Sequence, residues 1–437
     1  MSRKKRGKCS CRTTWTHTPN SSSRRSIACV GRERLPPSRC SRHMDTKARN
    51  ALTKLLEAGN RATAGVRSTR PALTRSQLAD YQATRSLADK EAFEAAMKAA
   101  RAEGAVALTW EKGFGEEGFI QRVELLDLDA LAKLLGVETA AIRLEKAAAQ
   151  FAPLLPDFPV LNDVLARWAS LKKVRTFGPE DSQDWIDAAR IIRFMTAARE
   201  NRTVDEPIRE VSARLFKDSK RIEKLAAPVD ILLTGDVDAE IRESADVWQE
   251  IGVFREEQPV RMAGKIVVAR TRVTECLDAP YSAFSASSVT GLAGIPKMVM
   301  TIENQTTFHS EAKRRHEEEV LLIYTAGMPT PAWRAMYVRL LGGLPPGVPV
   351  YHWGDIDEGG FRIASILAQD ARSAGHTLQP WMMHPDDVPE DRRVKARPHT
   401  LERIRRFAWG TLGEEIATAG FTVEQEGLPI VGLGQPQ

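Results

Sequence analysis

The stretch VPVYHWGDIDEGGFRI (residues 348–363) decides the fold of the C-terminal third. It opens on an apolar run, VPVYHW, that is short and rich in β-branched and aromatic residues. It then releases two acids, Asp355 and Asp357, and a Gly-Gly pair, Gly359 and Gly360, before a helical pattern begins. A strand, a polar turn and a helix in that order predict one unit of a parallel sheet with crossover helices. The surroundings repeat it. MVMTIEN (298–304), VLLIYTAG (320–327) and TLQPWMM (377–383) are further short apolar runs, and PAWRAMYVRLL (331–341) and GGFRIASILAQDARSA (359–374) place apolar residues at helical spacing.

Such sheets carry their active groups at the carboxyl ends of strands. Three acids fall there. Glu303 closes the first run, and Asp355 and Asp357 close the third. In extended chain, residues i and i+2 project to the same side, so Asp355 and Asp357 can share one ion, with Glu303 joining from a neighbouring strand. Carboxylates so placed suit Mg²⁺ or Mn²⁺, and a metal there would activate a phosphodiester and an attacking water. Gly359 and Gly360 would let a phosphate approach the following helix N-terminus. On spacing alone a metal site and a solvated acidic loop stand level.

Outward from this region the chain is long enough for two to four domains. Residues 1–43 hold twelve Lys/Arg against the single acid Glu33, so the formal +6 of the whole hides a net acidic remainder. DNA affinity of the folded part must rest on local patches. Cys9, Cys11, Cys29 and Cys40 share that basic leader, which reads as a disordered extension or as sequence upstream of a true start at Met44. No run approaches the length of a membrane helix, and with no secretory signal the cytoplasm is the expected compartment.

Residues 44–136 predict three helices and then a hairpin, AVALTW (105–110) and FIQRVELL (119–126) around EKGFGEEG, the order of a winged helix. Its third helix, 88–103, is the natural DNA reader, although it has about as many acids as bases and a protein-binding role is the alternative. Residues 137–230 read as mainly helical, with Trp168 and Trp185 as core. Within them, 209–225 concentrates Arg209, Arg214, Lys217, Lys220, Arg221 and Lys224. On spacing it is equally a phosphate-contacting surface and a solvated helix face. Residues 231–296 predict a small β-containing module.

The segments IENQTTF (302–308), LIYTAGMPTPA (322–332), YHWGDIDEGGFRI (351–363), RLFKDSKRIEKL (214–225) and VEQEGL (423–428) together resemble JetD-like proteins, the nuclease subunits of the Wadjet plasmid-defence system. The resemblance covers roughly residues 150–437. It implies a multidomain α/β and α+β chain with an N-terminal winged helix, a CAP-like winged-helix middle that includes 209–225 and the 231–296 linker module, and a Toprim domain over 297–437 related to the DNA-cleaving subunit of topoisomerase VI. It implies Mg²⁺ or Mn²⁺ on Glu303, Asp355 and Asp357, DNA contact through Arg214, Lys217, Lys220 and Arg221, and cleavage of double-stranded plasmid DNA. It also implies a homodimer recruited by an SMC-like ATPase complex with kleisin-type subunits. The chain has no Walker A motif, so ATP use falls to those partners. The motifs that carry the resemblance do not reach front residues 44–130, so the family's arm is not assigned to them.

Two other chemistries stand beside hydrolysis. A topoisomerase-like cut needs a tyrosine nucleophile; Tyr81 is the candidate, since Tyr324, Tyr337 and Tyr351 fall in sheet and helix patterns and Tyr281 in a turn. A non-catalytic DNA-binding partner is the other. His309, His316 and His352 flank the acids, with His352 either an orienting group or a packed one. Glu424 and Glu426 either support the site or cap the last helix.

Overall fold

Three separate hydrophobic cores organise the chain. The computed structural model describes residues 44–65, 70–201, 205–407 and 409–425. The leader 1–43 with its four cysteines, and Glu426, lie outside the described residues.

The first core belongs to residues 48–135. Helix α1 (Thr46–Thr63) starts where the Asp45 carboxylate accepts Ala48 N–H at 2.8 Å. Strand β1 (Ala72–Thr74), helix α2 (Leu87–Ala102), strands β2 (Val106–Trp110) and β3 (Ile120–Leu125) and helix α3 (Leu128–Leu135) follow. The three strands form one antiparallel sheet in the order β1-β3-β2. Alternation in β3 turns Val123 and Leu125 inward, and a register shift between Arg122 and Ile120 brings Ile120 to the same core, which they share with Phe93 and Met97 of α2.

The second core spans residues 147–253 and is mainly helix packing, with a two-residue parallel pairing of Glu206–Pro207 and Val253–Phe254 at its edge. It contains α4 (Ala140–Phe151), α5 (Leu161–Ala169), α6 (Ser182–Asn201), α7 (Ile208–Phe216), α8 (Ala226–Thr234) and α9 (Ser244–Glu250). Trp168 and Trp185 meet edge to face at 6.1 Å, both buried, with Phe151 against each. They are core residues, as their spacing predicts.

The third core runs from Val260 to Val423. Strands β4 (Val260–Ala263), β5 (Val267–Arg270), β6 (Thr274–Cys276), β7 (Ser282–Phe284) and β8 (Val289–Leu292) precede strand β9 (Val299–Ile302). After it come α10 (Gln305–Arg315), β10 (Leu321–Tyr324), α11 (Pro331–Gly342), β11 (Val350–Trp353), α12 (Glu358–Ser373), β12 (Leu378–Pro380), α13 (Pro398–Arg406) and α14 (Leu412–Ala419). The main sheet has the order β12-β11-β9-β10-β4-β7. Its first four strands are parallel, with Ile302 level with Trp353 on one side and Tyr324 on the other; β4 and β7 add antiparallel. All four residues of β9 are buried, because flanking strands and covering helices leave no face to water.

Residues 231–296 are divided between two cores, whereas the sequence suggests one small module. Residues up to Val253 pack with the helices, and β4 and β7 extend the C-terminal sheet. Short strands with little apolar surface of their own are stable only when added to a larger sheet. Among the described residues no helix is long and apolar enough to cross a membrane.

Candidate functional site

Strand order places the acids. From β9 the chain crosses to β10 on one side, then returns past β9 to reach β11 on the other. The crossovers therefore diverge between β9 and β11, and an open parallel sheet has its crevice at the carboxyl ends of strands at that divergence. Glu303 follows β9 there, and Asp355 and Asp357 follow β11.

Backbone contacts bind the two ends together. Glu303 N–H donates to Trp353 O at 3.0 Å, and Asp355 N–H donates to Glu303 Oε2 at 3.3 Å. Gly354 makes room: a Cβ there would stand 2.6 Å from Glu303 Oε2 and 2.7 Å from His352 Nε2. Burial, then the charges of Asp355 and Asp357, raise the Glu303 pKa well above its ordinary value, against the pull of the Asp355 N–H. Burial also raises Asp357, partly offset by N–H donation from Gly360.

A C-terminal segment closes the site. Val423 and Ile356 exchange backbone hydrogen bonds at 2.8 and 3.1 Å. Gln425 N–H then donates to Asp355 Oδ1 at 2.6 Å, while its buried side-chain oxygen accepts Asn304 N–H at 2.9 Å. Gln425 thus ties Asp355 to the start of α10. In VEQEGL the working residue is this glutamine, between the two acids that draw the eye. Glu424 is exposed, and Gly420 in left-handed conformation terminates α14, so Glu424 does not cap that helix.

Asp357 caps α12, accepting Gly360 N–H at 2.7 Å. That N–H is therefore engaged by protein, not open to a phosphate. Gly360 serves packing, since a Cβ on it would meet Asp355 O at 2.1 Å; Gly359 is looser, its nearest neighbour being Asp357 Oδ1 at 3.4 Å.

Among the described residues, no three His, Cys, Asp or Glu side chains converge tightly enough to hold a metal ion. In kind, the donors fit a hard divalent cation: three carboxylates of one region, Glu303 destabilised as an anion by the other two. Two buried polar atoms, Gln425 Nε2 and His352 Nε2, also have no hydrogen-bond partner among the described residues.

His352 is fully buried, its Nδ1 2.9 Å from Thr301 Oγ1, and burial holds its pKa down at about 3. It is a neutral, packed ring. His309 stacks on Tyr281 at 5.3 Å, and exposed His316 caps its own helix through Lys313 O. Asp246, from α9, is a residue the sequence did not signal. It accepts Met328 N–H at 3.3 Å, and its charge further raises Glu303 and Tyr324. Arg362 of α12 completes the junction, donating to Glu250 Oε1 at 2.6 Å and Leu233 O at 3.2 Å.

The basic stretch is broken in two. Helix α7 ends at Lys217, which takes left-handed φ, and Ser212 Oγ bridges the turn by donating to Asp218 O and accepting Ile222 N–H. Arg221 pairs with Asp184 and Asp187 of α6, and Arg214 with Glu206 at 2.8 Å. Lys217 and Lys220 remain exposed. Helix α2 in the front module likewise spends its cations internally: Lys98 and Arg101 on Glu116, and Lys90 on Glu94 and Glu117 O. Tyr81 is buried, donating to Glu94 Oε1 at 2.6 Å and accepting Ile120 N–H at 3.0 Å, and burial with that bond to Glu94 raises its pKa.

A parallel-sheet domain with acids at its divergence point, joined to a helical module, finds its counterpart among known proteins. Residues 260–430 match the family model "Wadjet protein JetD, C-terminal", and residues 46–234 match "Uncharacterized protein conserved in bacteria N-term". The Wadjet protein JetD of Bacillus cereus (strain Q1) is 28% identical over 190 residues, covering 40% of this chain and 44% of that relative. The chain is JetD-like, and the match spans under half of the relative's length.

Proposed function

We propose that this chain is the metal-dependent DNA endonuclease subunit of a Wadjet-type anti-plasmid system. The C-terminal domain is read as a Toprim fold, residues 44–136 as a winged helix and the helical middle as its CAP-like partner. The observation that carries the reading is the meeting of Glu303 and Asp355 across β9 and β11, at the sheet's crossover divergence. JetD likeness supports the same assignment.

A bound Mg²⁺ or Mn²⁺ supplies Lewis acidity toward a phosphodiester and toward water. Glu303, Asp355 and Asp357 would hold it. Gln425 fixes Asp355, and Gly354 keeps the strand ends close enough for the acids to cooperate. The chain works as a homodimer, each copy cutting one strand, and is licensed by an SMC-like ATPase with kleisin-type subunits.

The non-catalytic reading, a DNA-binding partner with an inert sheet, draws on the absence of a converged three-acid cluster among the described residues. Incubation of supercoiled plasmid with Mn²⁺, with and without the partner complex, separates the two. Nicking or linearisation by wild type that is lost in Asp355→Ala supports the nuclease; no cutting under either condition supports the inert partner. The tyrosine route has less support, because the Tyr81 oxygen is enclosed and doubly bonded. No denaturant-stable DNA adduct is expected.

A further inference from the structure

A cleft of about 690 Å³ opens beside Asp357, between the middle module and the C-terminal domain. Asp238 and Glu240, from the segment joining α8 to α9, line it together with Asp357 and Glu424 and with the basic or titratable residues Lys395, Arg397 and His399.

The basic pair is built. Lys395 sits in a short ladder, Val394 opposite Thr422 and Lys395 opposite Phe421, and Arg397 follows in extended conformation as the N-cap of α13. Residues two apart in extended chain project to one side, so Lys395 and Arg397 present their charges together. Arg403 lines the same cleft, but its side chain, 8% exposed, pairs with Asp236 at 3.1 Å and Glu358 at 3.2 Å.

Lys395 and Arg397 differ from the carboxylate-bound cations described above and, like the exposed Lys217 and Lys220, keep their charge at the surface. Arg221, Lys98 and Arg101 are bound to carboxylates. Lys395 and Arg397 are exposed and make no ion pair among the described residues, although Asp357 and Glu424 line the same cleft. Acids in a cleft repel a polyanion, so a strand approaching Asp357 needs cations there that the acids do not neutralise.

We propose that Lys395 and Arg397 take consecutive backbone phosphates of duplex DNA and lay one strand along this cleft toward Asp357. This rests on the nucleic-acid reading of the acid site. Such contacts set position and affinity without reading sequence.

The test is fluorescence anisotropy of a labelled duplex of about 30 base pairs, titrated with the full chain in EDTA across a salt series. The double variant Lys395→Glu/Arg397→Glu is expected to bind at least about tenfold more weakly, with a salt slope shallower by about 2, near 0.9 for each lost phosphate. Lys395→Ala/Arg397→Ala should flatten the slope equally with a smaller affinity loss, and an unchanged melting temperature shows that it is folded. Wild-type binding with the alanine pair unchanged in affinity and slope overturns the wall and leaves the acid site standing. No binding by wild type even at low salt overturns the wall together with the nucleic-acid reading beneath it.

Discussion

The acid site after β9 and β11 and the basic stretch 209–225 are both concentrations of like charge, and folding treats them in opposite ways. Glu303 and Asp355 are carried to adjacent strand ends by a parallel ladder and held there, although burial and mutual repulsion act against it. The basic stretch is cut at Lys217, and Arg214 and Arg221 turn to acids on neighbouring elements. Like charges kept together at a cost are held by backbone register. Charges free to relax find partners and become structural. Register thus marks function more reliably than charge count.

The sharpest way to break that comparison is catalytic. Asp355→Ala, Asp357→Ala and Glu303→Gln should each lower plasmid cleavage by roughly 10³-fold or more, measured by gel, with duplex affinity nearly unchanged. Normal cutting by any of them removes that residue from the site.

Register itself is tested next. Gly360→Ala drives a Cβ into Asp355 O and should cost about 3 kcal/mol in urea unfolding, the upper range for an overpacked position. Gly359→Ala, which meets only a carboxylate oxygen at 3.4 Å, should stay within about 0.5 kcal/mol. Equal effects would mean that the turn after β11 is not set by close backbone approach.

For the basic stretch, the structural cation is expected to separate from the exposed ones. Arg221→Ala removes the ion-pair partner of half-buried Asp184 and of buried Asp187, which keeps only its Gln183 hydrogen bond, for a loss of about 2 kcal/mol after allowance for solvent screening. Lys220→Ala should change stability by less than about 0.5 kcal/mol. Lys217→Glu/Lys220→Glu should weaken duplex binding and flatten its salt slope, by less than the same change at Lys395 and Arg397. An unchanged slope would make those two lysines a solvated face.

Repulsion at the acid site has a pH signature. The folded-state pKa of Glu303 lies above its ordinary 4.5, so the native state binds the extra proton and stability falls as pH rises from that value through the folded pKa. In EDTA, Glu303→Gln should therefore melt higher than wild type at pH 8, and the gap should close toward pH 4.5. Adding Mn²⁺ should raise the wild-type melting temperature and narrow the gap at pH 8. A pH-independent gap would deny that the Glu303 charge is strained.

Much of the third core was legible because its signals are local. Apolar runs such as MVMTI and VPVYHW, with helical stretches between them, mark parallel strands, and an acid directly after a strand needs no tertiary knowledge to be placed at its end. The extents of α2 and α12 followed from the spacing of apolar residues in the same way. Less legible were β4 and β7, because a strand of three or four residues takes its identity from the sheet it joins.

From its sequence alone this chain determined which residues are strand-end acids, which runs are helix and strand, and where cations are plentiful. Those properties depend on neighbours within a few positions. Only the tertiary structure decided that Gln425 would hold Asp355, that Asp246 would bear on Glu303 from another module, and that Lys395 and Arg397 would stand unpaired while Arg221 and Arg403 are bound. Hydrogen bonds and ion pairs form between groups close in space, and here those groups lie up to 167 residues apart along the chain.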